Sequence, residues 1–141
     1  MTFRNADATL FEVKILVIDD SVVMRRINRN VLVEHKVPDG DIIDAEDGAQ
    51  ALKAAAAHRI GLFLVDWNMP KLDGFQLVKA LRAMEKYAET PIIMITSEAA
   101  KYNVVDAIKA GVTNYIVKPI KGDLLWSKLQ KYVAPGGGAV G

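Results

Sequence analysis

The stretch that decides the fold is Leu62-Phe63-Leu64-Val65-Asp66-Trp67-Asn68-Met69-Pro70. Its first four residues are apolar without polar alternation, a pattern typical of a strand buried on both faces. Pro70 lacks a backbone N–H and biases Met69 away from helical angles, so the strand should open into a loop. Asp66 is therefore predicted at the carboxyl end of a buried strand, where open parallel α/β sheets place their chemistry.

Four more apolar runs flank this strand, and helical patterns separate them. The other predicted strands are Val13–Ile18, Ile42–Ala45, Ile92–Ile95 and Asn114–Val117. The predicted helices begin after Ser21, at Asp47-Gly48, at Asp73-Gly74, near Glu98 and at Asp123. Five strands alternating with five helices predict an α/β fold, the flavodoxin-like (βα)5 doubly wound parallel sheet with strand order 2-1-3-4-5.

Apolar residues at helical spacing predict which helix faces are buried. On the first and last helices these residues are Met24, Ile27, Val31 and Leu32, and Leu124, Leu125 and Leu129. Three arginines of the first helix lie off its stripe and are predicted to form a solvated face, with kinase docking as a second role: Arg25, Arg26 and Arg29.

Length and composition restrict the class of protein. The chain has 141 residues, of which 51% are hydrophobic and 25% charged, as in an ordinary single globular domain. We predict a folded domain over residues 13–134, an N-terminal extension over 1–12 and a flexible Gly-rich tail over 135–141. The net charge of +1 predicts no binding to nucleic acid or to a membrane surface. The absence of cysteine, of a long apolar run and of a signal peptide predicts a cytoplasmic protein.

Polar residues stand at the ends of four predicted strands: Asp19, Asp20, Asp66, Thr96 and Lys118. The switch point of a 2-1-3-4-5 sheet lies between strands one and three, so the three carboxylates should flank one crevice. Their mutual repulsion is best offset by a hard divalent cation. We predict Mg²⁺ rather than Zn²⁺, because the chain has no cysteine and its two histidines lie on predicted helices.

Acidic ligands, a cation, a hydroxyl donor and a lysine suit phosphoryl transfer. Lys118 and the metal would neutralise the transferred oxygens, and Thr96 would donate to one of them. A carboxylate would be the nucleophile and would form an acyl phosphate. Each residue alone has a simpler role, as a helix cap, a strand residue or a surface charge, but the set favours the chemical one.

The motifs in order are Asp19-Asp20, Asp66-Trp67-Asn68-Met69-Pro70, Thr96-Ser97-Glu98-Ala99 and Tyr115-Ile116-Val117-Lys118-Pro119. Their order and spacing resemble the receiver domains of two-component response regulators, over about Val13 to Val133. Within that family the chain is similar to the single-domain, CheY-like chemotaxis regulators. The resemblance implies that Asp66 accepts a phosphoryl group from a sensor histidine kinase of the CheA-like kind.

The same resemblance implies roles for the other site residues. Asp20 and Asp66 would bind Mg²⁺ directly, together with the backbone carbonyl of Asn68, and Asp19 would act largely through water. Lys118 would pair with the phosphoryl group, and the peptide bond between Lys118 and Pro119 would be cis. The protein would then catalyse only its own Mg²⁺-dependent phosphorylation and dephosphorylation, the latter with help from a phosphatase.

A conformational switch is implied as well. Thr96 would move toward the phosphoryl group, and Tyr115 would turn inward into the space vacated. The surface of helix four, strand five and helix five would change shape and bind a partner. The flagellar motor switch protein is the expected partner, and the candidate contact residues are Lys101, Val104, Tyr115 and Lys128.

Other functions stay open from the sequence. The chain could be a phosphate sink or a phosphorelay intermediate, which passes its phosphoryl group on without binding a motor. The Gly-rich tail resembles the start of a linker, so the chain could also be a receiver excised from a larger regulator. An Asp-nucleophile phosphatase of the haloacid dehalogenase type is a remote alternative, because that class needs an Asp-x-Asp pair and usually a cap domain, whereas Asp19 and Asp20 are adjacent.

Overall fold

A computed structural model describes residues 14–67, 74–96, 101–118 and 121–133, with the side chains of 101–104 and 133 left out. Several predictions therefore lie outside the described residues. These concern the N-terminal extension, the Gly-rich tail, the carbonyl of Asn68, the peptide bond to Pro119, and the side chains of Lys101 and Val104.

Five strands and five α-helices alternate along the described parts of the chain. The strands are β1 (Lys14–Ile18), β2 (Ile42–Ala45), β3 (Ile60–Asp66), β4 (Ile92–Thr96) and β5 (Asn114–Val117). The α-helices are α1 (Val22–Glu34), α2 (Gly48–Ala57), α3 (Gly74–Ala83), α4 (Lys101–Ala110) and α5 (Gly122–Val133). Short 3-10 turns at Asp39–Asp41 and Glu85–Tyr87 precede β2 and β4. None of the helices in these ranges is long and apolar enough to cross a membrane.

All strands are parallel and stand in the order β2-β1-β3-β4-β5, which confirms the predicted flavodoxin-like topology. Because β3 lies at the centre, its residues from Leu62 to Trp67 are all buried. The register pairs Ile18 with Val65 and Asp66 with Ile95. The carboxyl ends of β1, β3 and β4 are therefore level with one another.

Two apolar clusters cover the two faces of the sheet, as the alternation of side chains along a strand requires. On one face, Leu16, Phe63 and Met94 belong to a cluster that includes residues of α2, α3 and α4. On the other, Val17 and Leu64 belong to a cluster with residues of α1 and α5. This double covering is why the strands read as continuous apolar runs.

Two predicted inward positions on the helices are wrong. Ile27 is 37% exposed, and the buried residue of that turn is Asn28. Leu124 is 46% exposed, whereas Leu125 and Leu129 are fully buried. In both helices the buried stripe is narrower than the apolar pattern, so an apolar residue at the margin of the stripe stays exposed to solvent.

Candidate functional site

The carboxyl ends of the central strands bring the predicted polar residues together. Asp19 directly follows β1, and its backbone N–H donates to the carbonyl of Ala45 in β2 at 3.1 Å. Asp66 ends β3 and Thr96 ends β4. The backbone N–H of Lys118 donates to the carbonyl of Thr96 at 2.7 Å, so the residue after β5 lies at the same carboxyl end of the sheet.

The three carboxylates form one cluster. Asp19, Asp20 and Asp66 each offer an oxygen, and these oxygens lie within 4.8 Å of one another. Asp19 and Asp66 are buried, at 1% and 3% exposure, whereas Asp20 is exposed. The cluster therefore has two oxygen donors at its floor and one at its solvent side, an arrangement that a small cation can enter from the surface.

Asp19 bears the electrostatic cost of this arrangement. Burial raises the pKa of its carboxyl from 3.8 to about 6, and the negative charges of Asp66 and Asp20 act in the same direction. A hydrogen bond from the Ser21 N–H to Oδ1, 2.9 Å long, and the charge of Lys118 lower the pKa but do not outweigh burial. The other oxygen, Oδ2, is buried and accepts no hydrogen bond from any described residue.

Lys118 supplies the positive charge closest to the cluster. Its Nζ lies 3.3 Å from Oδ1 of Asp66 and 3.9 Å from Oδ2 of Asp19. The lysine side chain is 23% exposed, so its ammonium group can also reach a ligand that enters from solvent. Thr96 is 1% exposed at the end of β4, beside the same edge of the sheet.

The donor set fits a hard divalent cation. All three cluster residues provide carboxylate oxygens, which Mg²⁺ prefers, and neither His35 nor His58 belongs to the cluster. The buried oxygen of Asp19 that accepts no hydrogen bond from the described residues is a further reason, because a cation would satisfy it. A single lysine beside three carboxylates leaves excess negative charge for a cation to neutralise.

The residue after Asp66 makes a tight contact with the start of α3. A Cβ added to Gly74, the first residue of α3, would lie 2.9 Å from the Cα of Trp67 and 2.6 Å from its indole ring. Trp67 itself is 8% exposed and packs edge-on against Phe75, with ring centroids 6.4 Å apart. The tryptophan therefore belongs to the core beneath the site.

Two arginines assigned to a solvated face have specific partners instead. Arg25 donates from Nη1 to the backbone carbonyl of Asp19 at 2.6 Å, and its Nε lies 3.6 Å from Oδ2 of Asp44. Arg29 contacts Asp39 and Asp44. Arg26 is exposed, as predicted. The apolar pattern could not reveal these contacts, although Arg25 lies in the first turn of the helix that follows the acid pair.

The predicted switch and partner residues meet at β5 and α5. Tyr115 is half-buried. The Nζ of Lys128 donates to the carbonyl of Tyr115 at 3.0 Å and lies 5.1 Å from the centroid of its ring. Tyr115 and Lys128 thus form one surface patch, at the edge of the sheet that β5 provides.

Comparison with known proteins agrees with this geometry. The family model of the response regulator receiver domain matches residues 15–130. A chemotaxis protein CheY homologue of Campylobacter jejuni is 43% identical over 126 residues, which cover 89% of this chain and 95% of the relative. CheY4 of Vibrio cholerae, a solved structure, has a TM-score of 0.79 and 32% identity, covering 85% of this chain and 98% of its own.

A second solved structure bears on the acidic cluster. It is the receiver domain of a Pseudomonas aeruginosa sensor histidine kinase, described with a magnesium ion coordinated in the active site cleft. Its TM-score is 0.77 at 28% identity, covering 87% of this chain and 98% of its own. The fold, the strand-end residues and these matches lead to one conclusion: this chain belongs to the response regulator receiver domain family, with CheY-like chemotaxis proteins among its relatives.

Proposed function

We propose that this protein is a phosphorylation-activated response regulator that accepts a phosphoryl group on Asp66 from a sensor histidine kinase. The observation that supports this role best is the pairing of a buried strand-end carboxylate with Lys118, at 3.3 Å, inside a cluster of three carboxylates. A buried nucleophile that lies beside an ammonium group and beside two further carboxylates suits transfer of a highly charged group.

The reaction follows from these residues. An oxygen of Asp66 attacks the phosphorus of a phosphohistidine, the phosphorus–nitrogen bond breaks, and the imidazole leaves and takes up a proton from solvent. Asp66 becomes an acyl phosphate, which water later hydrolyses to the free carboxylate and inorganic phosphate. Lys118 lies close enough to Asp66 to pair with the negative oxygens of the group that arrives.

Mg²⁺ would be held by Asp19, Asp20 and Asp66, with the carbonyl of Asn68 as a further ligand that lies outside the described residues. When bound, the cation supplies positive charge that neutralises the phosphoryl oxygens during transfer. Asp66 would thus have two tasks, as a ligand of the cation and as the nucleophile. Asp20, which is exposed, would hold the cation from the solvent side.

The output proposed for this chemistry is a change in the surface of α4, β5 and α5. Thr96 would donate to the new phosphoryl oxygen, and Tyr115 would move inward to fill the space that Thr96 leaves. Lys128 would respond, because it contacts both the carbonyl and the ring of Tyr115. With Lys101 and Val104 on α4, these residues would bind the flagellar motor switch protein.

The test is binding of the N-terminal peptide of a flagellar motor switch protein, measured by fluorescence anisotropy with and without beryllofluoride and Mg²⁺. Beryllofluoride stands in for the phosphoryl group on Asp66. We expect about tenfold tighter peptide binding with the mimic, the size of a typical coupling between two sites. Lys128→Ala should weaken the peptide complex without preventing uptake of the mimic.

Asp66→Asn is the matched control, because an amide is a poor nucleophile and a poor ligand. This variant should bind the peptide with the same low affinity under both conditions and should take no label from acetyl phosphate. Labelling of Asp66→Asn at the wild-type level would show that another residue is the acceptor. If the wild-type protein takes up the mimic but the peptide does not respond, motor binding is wrong and a phosphate sink or relay takes its place.

A further inference from the structure

A chain of charged contacts runs from the acid pair to the edge strand β2. Arg25 donates from Nη1 to the carbonyl of Asp19 at 2.6 Å. Its Nε faces Oδ2 of Asp44 at 3.6 Å, and Oδ1 of Asp44 accepts from Nη2 of Arg29 at 2.8 Å. Arg29 in turn donates from Nη1 to Asp39 Oδ1 at 2.7 Å and from Nη2 to the carbonyl of Ile42 at 3.1 Å. We call these residues the arginine brace: Arg25, Asp44, Arg29 and Asp39.

The carbonyl that Arg25 holds is the one in the peptide bond between Asp19 and Asp20. Fixing this peptide plane fixes the direction in which the chain leaves Asp19, and so the position of Asp20. Asp19 is held at two more points, through its N–H by the carbonyl of Ala45 and through Oδ1 by the N–H of Ser21. Asp20 has no such support of its own among the hydrogen bonds of the described residues and is exposed.

Arg25 acts by position and not as a counter-charge. Arg25 contacts the backbone carbonyl of Asp19, whereas the ammonium group of Lys118 is the one that faces the Asp19 carboxylate. The Arg25 side chain is mostly buried, at 14% exposure, and its Nε has no hydrogen-bond acceptor in the described structure. Burying a guanidinium group with one unpaired N–H is unfavourable. The contacts with the Asp19 carbonyl and with Asp44 therefore fix the position of this side chain.

We propose that Arg25 is a positioning residue of the cation site, which orients the Asp19–Asp20 peptide for Mg²⁺ and is itself oriented by Asp44 and Arg29. This inference rests on the proposed function, because it assumes that the three carboxylates bind Mg²⁺. Groups that hold a metal ligand from behind commonly change metal affinity when they are removed, although they never touch the ion.

The experiment is a Mg²⁺ titration followed by the fluorescence of Trp67, in a Trp126→Phe background so that one indole reports. Arg25→Lys keeps the charge but loses the planar fork that reaches both Asp19 and Asp44, and Arg25→Met loses both. We expect the Mg²⁺ dissociation constant to rise about tenfold in both variants, the lower end of effects measured for groups behind metal ligands.

Arg82→Lys is the matched control. Arg82 also donates to backbone carbonyls, those of Gly111, Tyr87 and Thr90, but it lies at the opposite end of the sheet, where β4 begins. This variant should lose thermal stability as the Arg25 variants do and yet keep its Mg²⁺ affinity. A purely structural role for Arg25 predicts instead that all three variants bind Mg²⁺ like the parent protein.

Two results would overturn the proposal: unchanged Mg²⁺ affinity in both Arg25 variants, or tighter binding in Arg25→Met, which would mean that the arginine only repels the cation. If the Arg25 variants do not fold, Asp44→Asn provides the test, because it frees the guanidinium without touching the acid pair. It should weaken Mg²⁺ binding too, and no change there would be equally decisive. A parent protein that binds no Mg²⁺ would instead refute the proposed function itself.

Discussion

At the scale of single residues, Asp19 combines deep burial with a negative charge. Its pKa is raised to about 6, above the ordinary 3.8, chiefly because burial penalises the charged form. The folded protein therefore binds a proton at Asp19 more tightly than the unfolded chain does. This stabilisation is fully present below about pH 4 and is lost as the pH rises through about 6.

Without Mg²⁺, we expect this residue to lower the free energy of unfolding by roughly 2 kcal/mol between pH 4 and 7, since each pKa unit corresponds to about 1.4 kcal/mol and neither titration is complete at the ends of this interval. Urea denaturation at a series of pH values measures the change. Asp19→Asn is the control, because it is neutral throughout and should lose that part of the slope. Parallel curves for Asp19→Asn and the parent protein would contradict the prediction.

The residues at the strand ends could be predicted from the sequence because topology alone brings them together. Asp66, Thr96 and Lys118 each follow a recognisable apolar run, and parallel strands end at the same edge. The partners of Arg25 could not be predicted in this way. Asp44 is the one charged residue of the four-residue strand β2. Its contact with Arg25 depends on the placement of α1 relative to β2, and no local sequence pattern encodes that placement.

At the scale of elements, α1 and α4 end with the same hydrogen-bond pattern but with different residues. After α1, Val37 N–H donates to the carbonyl of Leu32, and Lys36 has a left-handed φ of 79°. After α4, Val112 N–H donates to the carbonyl of Ala107, and Gly111 has a φ of 117°. Glycine is the usual residue at such a helix end, so Gly111 is recognisable as one from the sequence, whereas a lysine at that position is not.

Lys36→Gly should therefore stabilise the protein, because glycine removes the strain of a side chain in the left-handed region. We expect the free energy of unfolding to rise by about 0.5–1 kcal/mol, the strain relief less the greater chain entropy of glycine when unfolded. Chemical denaturation measures it. Gly111→Ala is the opposite control and should destabilise, since its Cβ would also lie 2.9 Å from Cγ of Arg82. Lower stability in Lys36→Gly would show that the lysine side chain contributes more than its strain costs.

The errors at the level of elements have one physical cause. Ile27 and Leu124 fit the apolar stripes of α1 and α5, yet both are exposed. Sequence periodicity gives the direction of the buried face, but the width of that face depends on how close the helix approaches the sheet. The apolar stripe of one helix does not reveal which residues at the borders of the stripe a neighbouring helix will cover. The element order and sheet topology were predictable because they depend only on alternation and connection rules.

At the scale of the whole molecule, helices cover the two faces of the sheet, and three mutually repelling carboxylates lie at the carboxyl ends of its strands. The cluster of Asp19, Asp20 and Asp66 is stabilised in the described structure by Lys118, which reaches two of the three carboxylates. The proposed function therefore requires a fold that is stable in spite of its site. A ligand that relieves the repulsion in the folded state, and finds no such cluster in the unfolded chain, must stabilise the entire domain.

Mg²⁺ should accordingly raise the melting temperature of the protein. At a concentration ten times its dissociation constant, a ligand that binds only the folded state adds about 1.4 kcal/mol. For a domain of this length that corresponds to a shift of about 3–6 °C, which differential scanning fluorimetry resolves at neutral pH. Below about pH 6 the shift should shrink, because a proton on Asp19 competes with the cation.

Asp66→Asn is the matched control for this shift, because it removes one buried carboxylate and much of the repulsion. The variant should melt higher than the parent protein without Mg²⁺ and should gain less from adding it. A melting temperature that does not change with Mg²⁺ but rises with Zn²⁺ would refute the assignment of Mg²⁺ to this site. An equal Mg²⁺ shift in Asp66→Asn and the parent protein would show that Asp66 does not bind the cation that stabilises the fold.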